Sequence, residues 1–265
     1  MIKLVIVSSK KYLKSKQAVA LISYLDEQQI YYEKILVDSE IENIQSEKDV
    51  DLIISVGGDG TALKAMTLGW NQSVPVLNLG SGRVGYLVNS LENIDFDSVI
   101  NQNFKNFKNR TPIIQNNNEK QPAFNEIVLI KNAPTRMLDM QIETYNQKVK
   151  VRADGLIISS SLGSTAYNYS AGGPIVQTSI ASLIITPISP FTKFPRSIVL
   201  DAKSKIKITI FKNQDFSIQF DGAEVIEGKE QEDMTFDYRL SKNELKVLEE
   251  SDNPKLDHFL NQILR

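Results

Sequence analysis

The spacing of apolar residues changes partway along this chain, and that change limits the fold more than any single motif. Through the first hundred residues strand and helix signals alternate: apolar stretches at 4–7, 31–37, 52–56 and 74–79, helical stretches at 15–29 and from about Thr61. Such alternation belongs to an open parallel sheet, whose ligands sit at the carboxyl ends of its strands. From about Thr111 the period falls to two, most clearly in Ile206-Lys207-Ile208-Thr209-Ile210 and Phe216-Ser217-Ile218-Gln219-Phe220. Those are half-buried antiparallel strands. The expectation is an α/β, Rossmann-like N-terminal domain over 1–105 and an all-β, β-sandwich-like C-terminal domain over 106–250. A tail over 251–265 has a cap, a proline in its first turn and an apolar stripe of Leu256, Phe259, Leu260, Ile263 and Leu264. It reads as a helix that packs on the body or on a second subunit, and a homo-oligomer, dimer or tetramer, is expected.

Composition removes several function classes. Lys and Arg number 30 against 32 Asp and Glu, a net charge of −2 that offers no footprint for nucleic acid. No apolar run approaches the roughly 18 residues of a membrane span, so a cytoplasmic protein with no membrane partner is expected. With no Cys and a single His, His258 in the tail, thiolate chemistry is excluded and a Ser-His-Asp triad or histidine-ligated metal would have to recruit that tail.

The candidate chemistry starts at the buried-looking strand Asp51-Leu52-Ile53-Ile54-Ser55-Val56, which runs directly into Gly57-Gly58-Asp59-Gly60-Thr61. Glycines here let backbone N–H groups approach a phosphate, the following helix aims its positive end at the same spot, and Asp59 faces the neighbouring hydroxyl. An ordinary strand-to-helix turn accounts for the glycines but not for the acid. Gly80-Ser81-Gly82-Arg83-Val84-Gly85 is a literal G-x-G-x-x-G, but Tyr86-Leu87-Val88 continues apolar where a dinucleotide fingerprint would open a helix. The aromatic and basic stretch 103–110 reads as a connector, and the Lys10, Lys11, Lys14, Lys16 cluster as a solvated helix entry.

Farther on, Asn125-Glu126 puts two adjacent polar residues in a strand-like stretch, where an amide and a carboxylate could bond both edges of a ribose or adenine. Asp221-Gly222 is first of all a hairpin turn. The segment 152–174 joins Asp154-Gly155, a buried strand, and the hydroxyl-rich Gly163-Ser164-Thr165-Ala166-Tyr167-Asn168 before Ser170-Ala171-Gly172-Gly173-Pro174. Small residues admit a ligand to the backbone, and Ser164, Thr165 and Tyr167 supply hydrogen bonds and a ring face for a base.

Taken in this order and spacing, 57–61, Asn125-Glu126 and the 154–174 block resemble the NAD kinase family, with Val84-Gly85-Tyr86-Leu87 and Thr186-Pro187-Ile188 as lesser signatures. The resemblance implies ATP-dependent phosphorylation of the adenosine ribose 2′-hydroxyl of NAD to give NADP, with Mg²⁺ on the donor phosphates and no metal ligands assigned in the protein. It casts Asp59 as the base on that hydroxyl and Gly57, Gly58, Gly60 and Thr61 as the phosphate site. Asn125 and Glu126 would hold ribose and adenine groups, Asp154 the nicotinamide half, and Thr165, Ala166 and Tyr167 the adenine pocket, with Ser170 nearby. Tyr86 matches the family's aromatic position and Asp221 its acid before the hairpin turn. The chain departs from the pattern at Leu162, usually Thr or Ser, at Pro190-Phe191 in place of Pro-His, and in about two extra residues within 80–85. Phosphoryl transfer by positioning and charge needs neither Cys nor a usable His, and the absence of a G-x-x-x-x-G-K-[ST] loop removes the usual NTPase fold. Rival readings are a lipid kinase sharing the glycine turn and a non-catalytic NAD sensor.

Overall fold

The computed structural model describes residues 2–37, 50–81, 85–90, 92, 94–100, 107–116, 118–145, 147–191, 193–228 and 231–249. The tail expected to be helical, with His258, Gly82, Arg83 and Val84 of the glycine-rich stretch, and residues 103–106 of the connector lie outside these residues. In chain order the first unit has β1 (Lys3–Ser8), α1 (Lys16–Glu27), β2 (Tyr31–Leu36), β3 (Leu52–Gly57), α2 (Asp59–Gln72), β4 (Val76–Gly80), α3 (Phe96–Ile100) and β5 (Phe107–Arg110). The second unit, 111–243, has β6 (Ile113–Gln115), β7 (Asn118–Ala123), β8 (Glu126–Lys131), β9 (Leu138–Thr144), β10 (Gln147–Ala153) and β11 (Gly155–Ser160). It continues with β12 (Ser182–Ile188), β13 (Ile198–Asp201), β14 (Lys205–Ile210), β15 (Phe216–Phe220), β16 (Ala223–Gly228) and β17 (Met234–Leu240). From Glu244 the chain returns to the first unit, as β18 (Leu245–Leu248).

The first unit is one mixed sheet in the order β2-β1-β3-β4-β18-β5. Its pairs are parallel until β5, which runs antiparallel to β18 at the edge. Every residue of β3 is buried, as a central strand covered on both faces requires. Ser15 caps α1 by accepting the Ala18 N–H at 3.2 Å, and Ala18, Leu21 and Leu25 then bury one stripe of the helix against the sheet. Each fully buried leucine there is worth about 1.5–3 kcal/mol. The edge is fastened by Arg110 of β5, whose guanidinium bonds Glu249 just past β18, both side chains buried.

Two antiparallel sheets make up the second unit, β10-β9-β14-β17-β6-β7 and β13-β12-β11-β8-β15-β16. Inward residues of both, among them Met140, Ile142, Ile206 and Ile208 from one and Leu129, Leu156, Ile185 and Ile218 from the other, share a single core. That is a sandwich, as the period-two pattern requires. The chain passes from one sheet to the other between β7 and β8, so the strand-like stretch through Asn125 is broken by a corner at Phe124 and Asn125. Among the described residues no helix is long and apolar enough to cross a membrane.

Candidate active site

The candidate side chains fall in two clusters, one in each unit. In the first, β3 ends at Gly57 and α2 starts at Asp59, so the acid belongs to the first helical turn, where the sequence expects it in the preceding loop. A Cβ on Gly57 would lie 2.5 Å from Thr61 Oγ1, and only glycine lets the helix fold this tightly against the strand. A Cβ on Gly58 or Gly60 would meet nothing within 4 Å. Those two positions of the turn therefore stand beside open space.

Asp59 is partly buried, and each of its oxygens takes one backbone amide: Oδ2 accepts from Tyr86 N and Oδ1 from Leu87 N, both at 2.9 Å. Gly85 allows this close approach, since a Cβ there would stand 2.4 Å from Asp59 Oδ1. A negative group at a helix N-terminus is favoured, and a carboxylate so held keeps a second lone pair on each oxygen for a ligand proton. Thr61 is buried at the foot of this turn. The lysine cluster surrounds a single 3₁₀ turn, Tyr12–Lys14, with its four side chains exposed and Lys11 lying 5.6 Å over the Tyr12 ring.

The second cluster is built around the corner between β7 and β8. Asp221 sits in the β15–β16 hairpin turn with φ 50°, next to Gly222 at φ 81°, as an Asp-Gly turn of mirror-image type demands. Its side chain turns back onto the corner and accepts three successive amides, from Phe124 at 2.7 Å, Asn125 at 2.8 Å and Glu126 at 3.1 Å. From the other side Ser160 N donates to the Asn125 carbonyl at 2.9 Å and Ser160 Oγ to the Phe124 carbonyl at 2.5 Å. Gly163 packs against the same peptide, where a Cβ would be 2.2 Å from the Asn125 oxygen.

Glu126 is buried, and its Oε2 has no hydrogen-bond partner among the described residues. Burial first, and then the charge of Asp221, push its carboxyl up to about 8, against the backbone N–H of Tyr167, which favours the anion. Burial likewise pushes Asp221 up to about 6, although its three amides pull the other way. The 3₁₀ turn Leu162–Thr165 and the single helical turn Tyr167–Ser170 follow β11. Thr165 and Ala166 are half-buried there, Ser170 is exposed, and Tyr167 leaves 40% of its surface free.

Ser164 is turned inward: its hydroxyl bonds the Ser161 carbonyl and both backbone groups of Val176. Asn168, fully buried, donates to Ser164 O and Pro174 O and accepts from Thr186 Oγ1 at 2.7 Å. Thr186 of the lesser signature thus braces this loop. Asp154 lies 2.6 Å from Lys131 Nζ, at the junction where its N–H donates to Ile188 O. Leu162 is buried, whereas Phe191 is 75% exposed. Lys131, the packing of Gly163 on the Asn125 peptide and the amides of Leu87 and Phe124 escape sequence reasoning, because nothing local in the chain marks which distant group they meet.

The fold is that of two-domain NAD kinases: a crystal structure of an NAD kinase from Archaeoglobus fulgidus in complex with ATP superposes with a TM-score of 0.77, covering 99% of each chain at 22% identity. Residues 8–106 match the model of the ATP-NAD kinase N-terminal domain, and residues 124–249 that of the C-terminal domain. The NAD kinase of Flavobacterium johnsoniae is 34% identical over 69% of this chain and 67% of its own length. That of Methanothermobacter thermautotrophicus is also 34% identical, over 70% of this chain, and the chain spans 65% of that relative's length. The chain belongs to the NAD kinase family.

Proposed function

We propose that this protein is an NAD kinase, transferring the γ-phosphoryl group of ATP to the ribose 2′-hydroxyl of NAD and so supplying NADP. The observation that carries this is Asp59, fixed by two backbone amides at the start of α2 beside glycines whose Cβ positions are empty. In the reaction a bond forms between the 2′-oxygen and the γ-phosphorus, the bond from that phosphorus to the β-bridging oxygen breaks, and Asp59 takes the hydroxyl proton. Gly57, Gly58, Gly60 and Thr61 shape the phosphate site, with Tyr86 closing on Asp59 through its amide.

Asn125 and Glu126 hold ribose and adenine groups, Thr165, Ala166 and Tyr167 line the adenine pocket with Ser170 at its margin, and Asp154 meets the nicotinamide half. Ser164 supports that pocket from beneath, since its hydroxyl is committed to the fold. Among the described residues no three Asp, Glu, His or Cys side chains cluster to cage a metal. Mg²⁺ in this reading is carried on ATP oxygens and waters, to which a protein adds one or two carboxylates. Asp59 is the carboxylate at that place, and the ion would neutralise charge on the donor phosphates. The protein acts in the cytoplasm, as a homo-oligomer, on small molecules.

Incubating the pure protein with ATP, Mg²⁺ and NAD and measuring NADP tests the proposal. NAD lacking only the 2′-oxygen should be a competitive inhibitor whose affinity falls by roughly ten- to a hundredfold at most. Phosphorylation of that analogue at another position would remove both the 2′ assignment and the role of Asp59.

A further inference from the structure

We infer that Asp221 is a positioning residue, which acts on the nucleotide through the backbone of Phe124, Asn125 and Glu126 and does not touch it. The inference rests on the kinase reading for the identity of the ligand, but the geometry that carries it does not. Three consecutive amides pointing at one carboxylate are unusual in a chain that is passing between two sheets, because neither sheet's ladder can use them there. Left without Asp221 they would be donors without acceptors at a half-buried corner, and the peptide planes of 124–126 would be free to turn. With Asp221 in place the amides face one way. The Phe124 and Asn125 carbonyls face Ser160, and Gly163 closes on the Asn125 peptide. The hairpin adds a fourth tie, since Asp221 N donates to the Glu126 carbonyl at 3.0 Å.

The side chains that this arrangement fixes are those of Asn125, half-buried, and Glu126, buried. Ser159 of β11 pairs with Glu126 in register, and the groups that act on the Glu126 carboxyl are the Tyr167 N–H of the helical turn and Asp221 of the hairpin, the charged neighbour that raises it. The three amides on Asp221 keep its charge in place, so Glu126 retains its proton near neutral pH. It therefore meets the ligand as a hydrogen-bond donor from Oε2, the oxygen without a partner. Asp221 thus sets both the direction and the protonation state of a group it never shares with the ligand. A nucleotide acceptor atom, a ring nitrogen or a ribose oxygen, is the chemistry that such a donor selects.

The test is the Asp221→Asn variant of the full chain, which keeps the shape but turns an NH₂ toward the amide donors. The KM for NAD should rise roughly ten- to a hundredfold while kcat at saturating NAD stays within about threefold. Amide exchange at Phe124, Asn125 and Glu126 should quicken while that of Leu156, Ile157 and Ile158 is unchanged. Combining Asp221→Asn with Glu126→Gln should cost no more than Asp221→Asn alone, since both act on one group. NAD affinity should fall as pH rises through about 8 in the wild type, at lower pH in Asp221→Asn, and not at all in Glu126→Gln.

Unchanged KM with slow amide exchange would overturn the inference. So would effects of the two substitutions that simply add, which is the mark of direct contact. Should the variant fail to fold, carboxyl-carbon shifts in the wild type answer the same question: NAD should move the Glu126 resonance and leave Asp221 in place, and equal movement of both would overturn the inference. NAD binding by calorimetry needs no turnover, so a protein that binds NAD but forms no NADP would lose the kinase reading alone.

Discussion

Asp59 and Asp221 are both carboxylates held by backbone amides, and they differ in how many amides they take and in what surrounds them. Asp59 takes two amides, one per oxygen, at the start of a helix beside glycines that leave open space. Asp221 takes three amides and is closed in by the corner it organises. The number of amides sets the residual capacity: two leave a lone pair on each oxygen, whereas three leave a single one, on Asp221 Oδ2. An amide-bound acid is therefore chemistry where its surroundings are empty and framework where they are full.

The sharpest way to break the comparison is Asp59→Asn. The amide keeps the shape but cannot take a proton, so kcat should fall by about 10²–10⁴-fold while NAD still binds. Steady-state kinetics and NAD titration decide it, and near-normal kcat would put Asp59 among the framework acids.

The glycines divide along the same line. Gly163→Ala puts a methyl 2.2 Å from the Asn125 carbonyl, backbone that cannot move aside, and should cost about 1–3 kcal/mol of stability together with NAD affinity. Gly60→Ala meets nothing within 4 Å inside α2, and alanine favours helix by up to about 1 kcal/mol. That variant should melt at or above the wild-type temperature and yet turn over more slowly, because the methyl stands where a phosphate approaches. Equal losses of stability in the two variants would show that the space at Gly60 has no ligand role.

A smaller effect separates the clusters by pH. The Glu126 carboxyl is raised from an ordinary 4.5 to about 8, so the folded protein binds a proton there that the unfolded chain has released. This contribution to stability is fully present below about 4.5 and is lost as pH rises through about 8. Each pH unit between those values is worth at most about 1.4 kcal/mol, and water reaching the corner reduces the sum to about half of that ceiling or less. Melting temperature should fall between pH 5 and pH 9, and Glu126→Gln should flatten the fall. A slope unchanged in that variant would assign the titration to other groups.

How much of this was legible in the sequence follows from how far apart the partners lie. The αβ alternation, the period-two strands at 206–210 and 216–220 and the Asp221-Gly222 hairpin are local patterns, and each appears in the structure where its residues specify it. The glycine turn was legible too, although α2 starts at Asp59 instead of after it, because Gly58 serves as the cap. The corner at Phe124 and Asn125 was not: a break between sheets reads locally as a continuous strand. The Asp221 carboxylate meets amides 95 to 97 residues away, and Lys131 meets Asp154 across two strands. No periodicity records such pairs, and so Asp221 could be read as a turn residue but not as the brace of the Asn125-Glu126 pair.

The smallest expected effect belongs to the side chain that the fold needs least. Tyr167 contributes its backbone N–H to Glu126, which any residue would supply, while its ring stands 40% exposed. Tyr167→Ala should leave the melting temperature within the change of about 0.5 kcal/mol expected of surface substitutions. Removing a ring that stacks on a base costs binding shared by substrate and transition state, so the KM for NAD should rise several-fold to about tenfold with kcat nearly unchanged. Tyr167→Phe should restore it, since the ring face and not the hydroxyl is the contact. A rise confined to the KM for ATP would assign the ring to the donor's base. A fall in kcat with KM unchanged would mean that the turn acts on the reaction through Glu126, and that the ring is a brace like Asp221.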